Sequence, residues 1–272
     1  MLKKWFRRLF QKKQPLLTPD AIDVERETLP ITAIGNVQGI GSRTEQQDAF
    51  GISHIADRNT VRERGLLAIV ADGMGGLKNS GVISHNIVQS ALKAFSSASG
   101  SQRETLLMLG SQVHSVAVNS ERGSGTTFLA ASVHSNMLDF ISIGDSRIAL
   151  YRAGSLLPLN RAHNYAADLE SSAARGLMSV AGAMNDPQRS KLTSYVSVSG
   201  PSAVDMPVYP MKLCPGDRVI LMTDGVFSTL SDEVLCEVLQ LGAVEAGQEI
   251  ERRIRKAAKP DQDNYTAIIL EI

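Results

Sequence analysis

Three aspartates in this chain stand where apolar runs end or begin, each beside residues that turn the backbone. Asp72 and Asp224 close strand-like runs and are followed by glycine, while Asp263 opens another in the order Asp263-Asn264-Tyr265-Thr266. A single Asp-Gly pair reads as a turn, because turns favour both residues. The run Ala71-Asp72-Gly73-Met74-Gly75-Gly76 points further: three glycines in four positions let the backbone pass close to a ligand and expose a carbonyl to it. Oxygen ligands suit hard cations such as Mg²⁺ or Mn²⁺, and the five histidines are scattered without zinc-site spacing. Two such ions about 3.5–4 Å apart acidify a bridging water and neutralise charge on a phosphoryl oxygen. Calcium or purely structural metal binding fits the same acids. Hydrolysis of a phosphate ester also needs a cation for the substrate. Arg43, in Gly41-Ser42-Arg43-Thr44-Glu45-Gln46-Gln47-Asp48, offers a guanidinium that can grip phosphate with two parallel hydrogen bonds. Taken alone, Arg43 reads as a surface residue.

The elements that must position these groups can be read from apolar periodicity. Short apolar runs bounded by turn residues predict strands at 66–71, 126–133, 138–143, 148–151, 218–222 and 266–270. Apolar residues three and four apart predict helices at 82–95, 105–119, 232–241 and 243–257. Strands in hairpin-like succession with helices grouped in pairs predict an α+β fold: a layered sandwich of two central antiparallel sheets flanked by helix pairs, not a parallel doubly wound sheet. One continuous domain is expected over 32–272, with no internal repeat.

Residues 1–13 differ from the rest. Leu2, Trp5, Phe6, Leu9 and Phe10 recur at helical spacing among Lys3, Lys4, Arg7, Arg8, Lys12 and Lys13, so a basic amphipathic helix is expected there. Such a helix can lie on an anionic membrane surface or dock on protein, and the pattern does not choose between them. Pro15, Pro19 and Pro30 mark a linker over 14–31. With 28 basic and 28 acidic residues the chain has no global field that would favour nucleic acid as a partner. No apolar run reaches the roughly 20 residues needed to span a bilayer, and the first residues lack the apolar stretch of a secretory signal. Cys214 and Cys236 read as buried small hydrophobes in a reducing compartment. The expected location is cytoplasmic, with residues 1–13 able to hold the chain at the inner membrane face.

The motif order resembles the metal-dependent serine/threonine protein phosphatases of the type 2C family, in the shorter bacterial form. The resemblance covers about 34–272 and rests on 43–48, 72–76, Gly125-Thr126-Thr127, Gly144-Asp145-Ser146-Arg147, Asp224-Gly225 and Asp263-Asn264-Tyr265-Thr266. It implies two Mg²⁺ or Mn²⁺ ions per site and direct attack of a metal-bridged water on phosphoserine or phosphothreonine monoesters. By the resemblance, Asp72 bridges both metals, the Gly73 carbonyl serves one of them, Asp224 and Asp263 serve the other, and Arg43 binds the substrate phosphate. Asp145 with Asp224 would hold a third, weaker ion, although the block around Asp145 reads equally as a strand-end turn. Phosphorylated proteins are the implied substrates, and a serine/threonine kinase the implied partner.

Three positions depart from the family pattern. Gln47 puts a neutral amide where an acid is common, so a water-mediated metal contact there would be weaker. Met74 replaces the histidine of animal members, and Ala162-His163-Asn164 replaces Asp-His-Ser, leaving His163 with a structural reading. Gln47 and Ala162 feed an alternative: a weak or inactive module that binds phosphorylated or kinase partners. Gly125-Thr126-Thr127 is expected to open a strand and support its neighbours by packing. The segment 163–192 is expected to form a flap beside the site.

Overall fold

The computed structural model describes residues 31–53, 57–74, 79–120 and 123–272. The helix expected at 1–13, the linker up to residue 30, and Gly75 and Gly76 lie outside the described residues. In chain order the strands are β1 (Ala33–Gly39), β2 (Asp48–Ile52), β3 (Leu66–Asp72), β4 (Phe128–His134), β5 (Met137–Ile143), β6 (Arg147–Arg152), β7 (Ser155–Pro158), β8 (Met211–Lys212), β9 (Arg218–Met222) and β10 (Tyr265–Glu271). The described helices are α1 (Arg58–Arg64), α2 (Ser80–Ser97), α3 (Gln102–Val118), α4 (Tyr165–Ala174), α5 (Val180–Met184), α6 (Asp224–Phe227), α7 (Asp232–Val238) and α8 (Ala243–Ala257).

Two five-stranded sheets form, in the orders β1-β10-β9-β6-β7 and β2-β3-β4-β5-β8, with every neighbouring pair antiparallel. Three apolar clusters bind the layers. Leu66, Ala68, Val70, Leu129, Ile148, Leu221 and Ile268 fill the space between the sheets. Ile83, Ile87, Leu106 and Leu109 of α2 and α3 cover Leu67, Ile69 and Ala71 on the outer face of one sheet. Leu235, Ile250 and Ile254 of α7 and α8 cover Ile220, Met222 and Ile269 on the other. The expected four-layer α+β sandwich is therefore the observed one.

This layering explains why β3 is apolar at six successive positions, although antiparallel strands with one wet face alternate. Its even residues face the second sheet and its odd residues face the helices, so neither set meets water. The helix starts at α3 and α7 follow local capping. Ser101 Oγ accepts from Glu104 N at 3.2 Å while Glu104 Oε2 accepts from Ser101 N at 2.8 Å, a reciprocal box that begins α3 three residues earlier than periodicity predicts. Ser231 caps α7 in the same sense.

Other expectations need correction. The strand expected from residue 126 begins at Phe128, because Thr126 is engaged on two other segments, in isolated bridges to Gly73 and to Val196. β1 and β2 escaped the periodicity reading: they are edge strands carrying Gly, Asn, Gln and Asp. Cys214 is exposed, so the buried reading fails for it, while Cys236 is half-buried and packs against the cluster under α7 and α8. Cys214 enters a tight turn in which its own N–H donates to Asp217 Oδ2 at 2.7 Å, and that turn holds it at the surface. Among the described residues no helix is long and apolar enough to cross a membrane.

Candidate metal and phosphate site

Five aspartates gather at one end of the sandwich, delivered by both sheets. β3 ends in Asp72, and the antiparallel register of β2 sets Asp48 directly opposite it. On the other sheet β9 ends at Met222, and Asp224 begins α6 two residues later. Asp263 stands two residues before β10, and Asp145 lies in the turn between β5 and β6. Arg147 pairs with Met222, so the strand leaving Asp145 runs beside the strand arriving at Asp224.

Hydrogen bonds fix the main chain of Asp72 rather than its carboxylate. Asp72 N donates to Thr127 Oγ1 at 2.9 Å, and Asp72 O accepts from Thr126 Oγ1 at 2.8 Å and from Thr127 N at 2.9 Å. The two threonines therefore support the site by polar bonds, not by the packing expected of them. Gly73 N donates to Gln47 O at 3.1 Å, and a Cβ on Gly73 would lie 2.6 Å from that oxygen, so only glycine fits. Gln47 bonds through its backbone: Gln47 N donates to Asn264 Oδ1 at 2.7 Å, and its carbonyl also accepts from Ser84 Oγ at 2.6 Å.

Asn264 and Gln262, whose side chains carry no chemistry legible in the sequence, secure the loop that carries Arg43. Asn264 Nδ2 donates to Ile40 O at 2.8 Å and to Glu45 O at 3.1 Å. Gln262 O accepts from Ser42 N at 2.8 Å and from Ser42 Oγ at 2.9 Å. Gly225 sits so tightly against the backbone at Asn264 and Tyr265 that a Cβ would be 2.0 Å from Asn264 O. The two Asp-Gly pairs thus owe their glycines to close backbone approach.

Asp48 is the residue whose importance sequence reasoning missed. It is 6% exposed, and its Oδ2 accepts from Thr266 Oγ1 at 2.8 Å and Thr223 Oγ1 at 2.9 Å. Its Oδ1 is buried with no hydrogen-bond partner. Burial, only partly offset by the two threonine bonds and reinforced by the charges of Asp224 and Asp263, pushes its carboxyl up to about 7. Asp145 is likewise pushed up to about 7, first by burial and then by Asp224. Asp72 is held well above the usual range by burial, then by Asp48, Asp224, Asp145 and Asp263. Asp224 is raised by burial and by Asp263, with Arg43 and Lys259 among the opposing influences.

These shifts place all five acids in one field. Asp263 also meets the expected cation: Arg43 Nη2 lies 2.8 Å from Asp263 Oδ2, in a pair 49% and 41% exposed. The acids share a field without closing on a point, and among the described residues no three acidic, histidine or cysteine side chains form a ready ligand cage. Mutual repulsion opposes such closure, and Arg43 draws Asp263 toward itself. A buried carboxylate oxygen without a partner, in a set of like charges, is the environment a hard cation satisfies. The residues fit Mg²⁺ or Mn²⁺: the donors are all oxygen, and Gly73 brings backbone into the same cluster.

His163 and Met74 lie close to this cluster, His163 on the residue before Asp145 and Met74 two residues after Asp72. Gly144 N donates to His163 Nδ1 at 3.1 Å, and burial holds the imidazole below its usual pKa. The expected flap is present as α4 and α5, which pack on each other and close at a bridge between Asn164 and Leu192. Met74 lies against Gly125, where an added Cβ would stand 3.0 Å from its sulfur.

A family model described as "Protein phosphatase 2C" matches residues 39–258. The chain is 26% identical over 230 residues to the serine/threonine protein phosphatase PstP of Mycobacterium tuberculosis, covering 82% of this chain but only 43% of that relative's length. It is 27% identical over 241 residues to the serine/threonine phosphatase Stp of Listeria monocytogenes, covering 84% of this chain and 91% of the relative. Among solved structures, the Streptococcus agalactiae serine/threonine phosphatase superposes with a TM-score of 0.75 at 22% identity, over 88% of this chain and 99% of that one. The catalytic domain of PstP in complex with two manganese ions superposes at 0.67 and 21% identity, over 88% and 97%. At these identities the solved structures speak to the fold.

Proposed function

Because the chain belongs to the protein phosphatase 2C family, we propose that it hydrolyses phosphoserine and phosphothreonine monoesters of other proteins with the help of divalent cations. The observation that carries the proposal is the field of five aspartates beside Arg43, with the Asp48 Oδ1 left without a partner. Asp72, the Gly73 carbonyl, Asp224 and Asp263 would hold two Mg²⁺ or Mn²⁺ ions; the PstP catalytic domain, which shares this fold, is solved in complex with two manganese ions. Asp145 would share a third with Asp224, and Gln47 would contribute at most through water. When bound, such ions lower the pKa of water and neutralise phosphoryl charge.

The chain's own residues supply position. Arg43, exposed at the rim, would grip two phosphoryl oxygens and orient the ester for in-line displacement. Asn264 and Gln262 would keep that guanidinium in register with the acids by closing the loop beneath it. Thr126 and Thr127 would hold the Asp72 main chain fixed while its carboxylate adjusts. Retention of Arg43, Asp72, Asp224 and Asp263 together favours catalysis over the binding-module alternative.

The proposal extends to a cognate serine/threonine kinase as partner. It extends also to an anionic membrane surface for residues 1–13, where recruitment near a kinase would raise the effective concentration of substrate. The deciding experiment is hydrolysis of a phosphothreonine peptide by the full chain with Mn²⁺ and with chelator. Turnover that requires Mn²⁺ supports the reading. Absent turnover, or turnover indifferent to chelator, rejects it.

A further inference from the structure

The turn that presents Asp145 is clamped on both sides, and only one clamp belongs to the sheets. On the far side, Ser146 Oγ bonds Thr127 Oγ1 at 2.7 Å, and Ser146 O accepts from Asn160 Nδ2 at 2.8 Å. On the near side, Gly144 has φ of 108° and is wedged against Thr127, whose Cγ2 would stand 2.6 Å from an added Cβ. The remaining contacts of Gly144 go to one residue: His163 N donates to Gly144 O at 2.9 Å, and Gly144 N donates to His163 Nδ1 at 3.1 Å.

His163 is also the first residue of the flap neck. Its carbonyl accepts from Thr193 N at 2.9 Å, and one step further Tyr165 N donates to Lys191 O at 2.9 Å. The returning chain then pairs Val196 with Thr126 in reciprocal bonds of 3.1 and 2.9 Å, and Thr126 Oγ1 holds Asp72 O. The flap is thus rooted at two points, one on the carrier of Asp145 and one on the carrier of Asp72.

We propose that His163 is a positioning residue that staples the Gly144-Asp145 turn to the flap neck, and that this staple sets how tightly the weakest of the divalent cations is held. The inference rests on the cation reading of Asp145 given above. Because a backbone N–H can only donate, Nδ1 must carry the lone pair and the ring proton must sit on Nε2. Leucine at 163 fills similar volume but leaves the buried Gly144 N–H without an acceptor, which releases one side of the turn. Asparagine can present its Oδ1 where Nδ1 stood and restores the bond.

The test compares the full-length wild type with His163→Leu and His163→Asn by Mn²⁺ titration calorimetry, with turnover of a phosphothreonine peptide measured in parallel. His163→Leu should weaken the lowest-affinity Mn²⁺ class by about tenfold, the scale of an outer-shell loss, while tighter classes shift by about threefold or less. His163→Asn should return to within about threefold of wild type. Nitrogen NMR of the wild type should show the Nε2–H tautomer, a signature that does not depend on either variant folding. An Nδ1–H tautomer, wild-type Mn²⁺ binding by His163→Leu, or an asparagine variant as impaired as the leucine one would overturn the proposal. A chain that shows these binding shifts without any peptide hydrolysis would leave the staple standing and remove the phosphatase reading instead.

Discussion

Replacing Asp48 by asparagine should stabilise the cation-free protein while damaging its response to metal. The folded carboxyl titrates near 7 against an ordinary value of 3.8, so the folded state holds this proton more tightly than the unfolded one. The contribution of Asp48 to stability is therefore most favourable at low pH, declines as pH rises from about 4 to about 7, and is least favourable above 7. At about 1.4 kcal/mol per pH unit, the burden of the ionised group is about 2 kcal/mol at pH 5 and about 4 kcal/mol at pH 8. Asparagine keeps an oxygen for Thr223 and Thr266, and turns an NH₂ group toward the neighbouring acids in place of the unpartnered Oδ1. Allowing for relaxation, about half of the burden should be recovered. For a domain of this size that raises the melting temperature in chelator by about 4–8 °C at pH 8, and by less than half as much at pH 5. The assay is thermal unfolding of both proteins at the two pH values, with chelator and with Mn²⁺. In Mn²⁺ the order should reverse, because cations in the field would offset the charge of the ionised Asp48 carboxylate in the wild type, a gain that a neutral amide cannot share. A variant that melts below wild type in chelator at pH 8, or a gain equal at both pH values, would refute the reasoning.

Further outcomes follow from the loop and its supports. Asn264→Ala strands the Gln47 N–H and two carbonyls, so chemical denaturation should show a loss of about 2–3 kcal/mol, and steady-state kinetics a raised KM from a loosened Arg43. Gly225→Ala forces a methyl to within 2.0 Å of Asn264 O, and expression should yield little folded protein by size-exclusion chromatography. Arg43→Ala should raise KM for a phosphopeptide by about tenfold or more while Mn²⁺ affinity, read by calorimetry, holds or improves as Asp263 is released from its ion pair.

Much of the fold was legible because both faces of each central strand are covered. β3 reads as an unbroken apolar run over 66–71 and β9 over 219–222, β5 and β10 are apolar at most positions, and α8 matched its expected bounds residue for residue. β1 and β2 were not legible. Each lies at a sheet edge, where polar and glycine positions are tolerated, and β2 opens with the very aspartate that points into the site. The site was half legible for a related reason. Acids beside glycines announce themselves in sequence, but the register that sets Asp48 against Asp72 is a tertiary fact. So is the reach of Asn264 across 224 residues to Ile40, and so are the hydrogen bonds through which Thr126 and Thr127 act. Gln47 shows the reverse: its sequence context points to the side chain as a ligand, whereas its backbone makes the hydrogen bonds to Gly73, Asn264 and Ser84.

Phosphatase chemistry at this site requires divalent ions among the aspartates. Crystals of the full chain grown or soaked with millimolar Mn²⁺, with anomalous diffraction recorded at the manganese edge, locate them without recourse to activity. At least two peaks should lie among Asp72, Asp224 and Asp263, with Arg43 turned away from Asp263. No peak there, or manganese held only by other residues, would contradict the claim that these aspartates are a cation site.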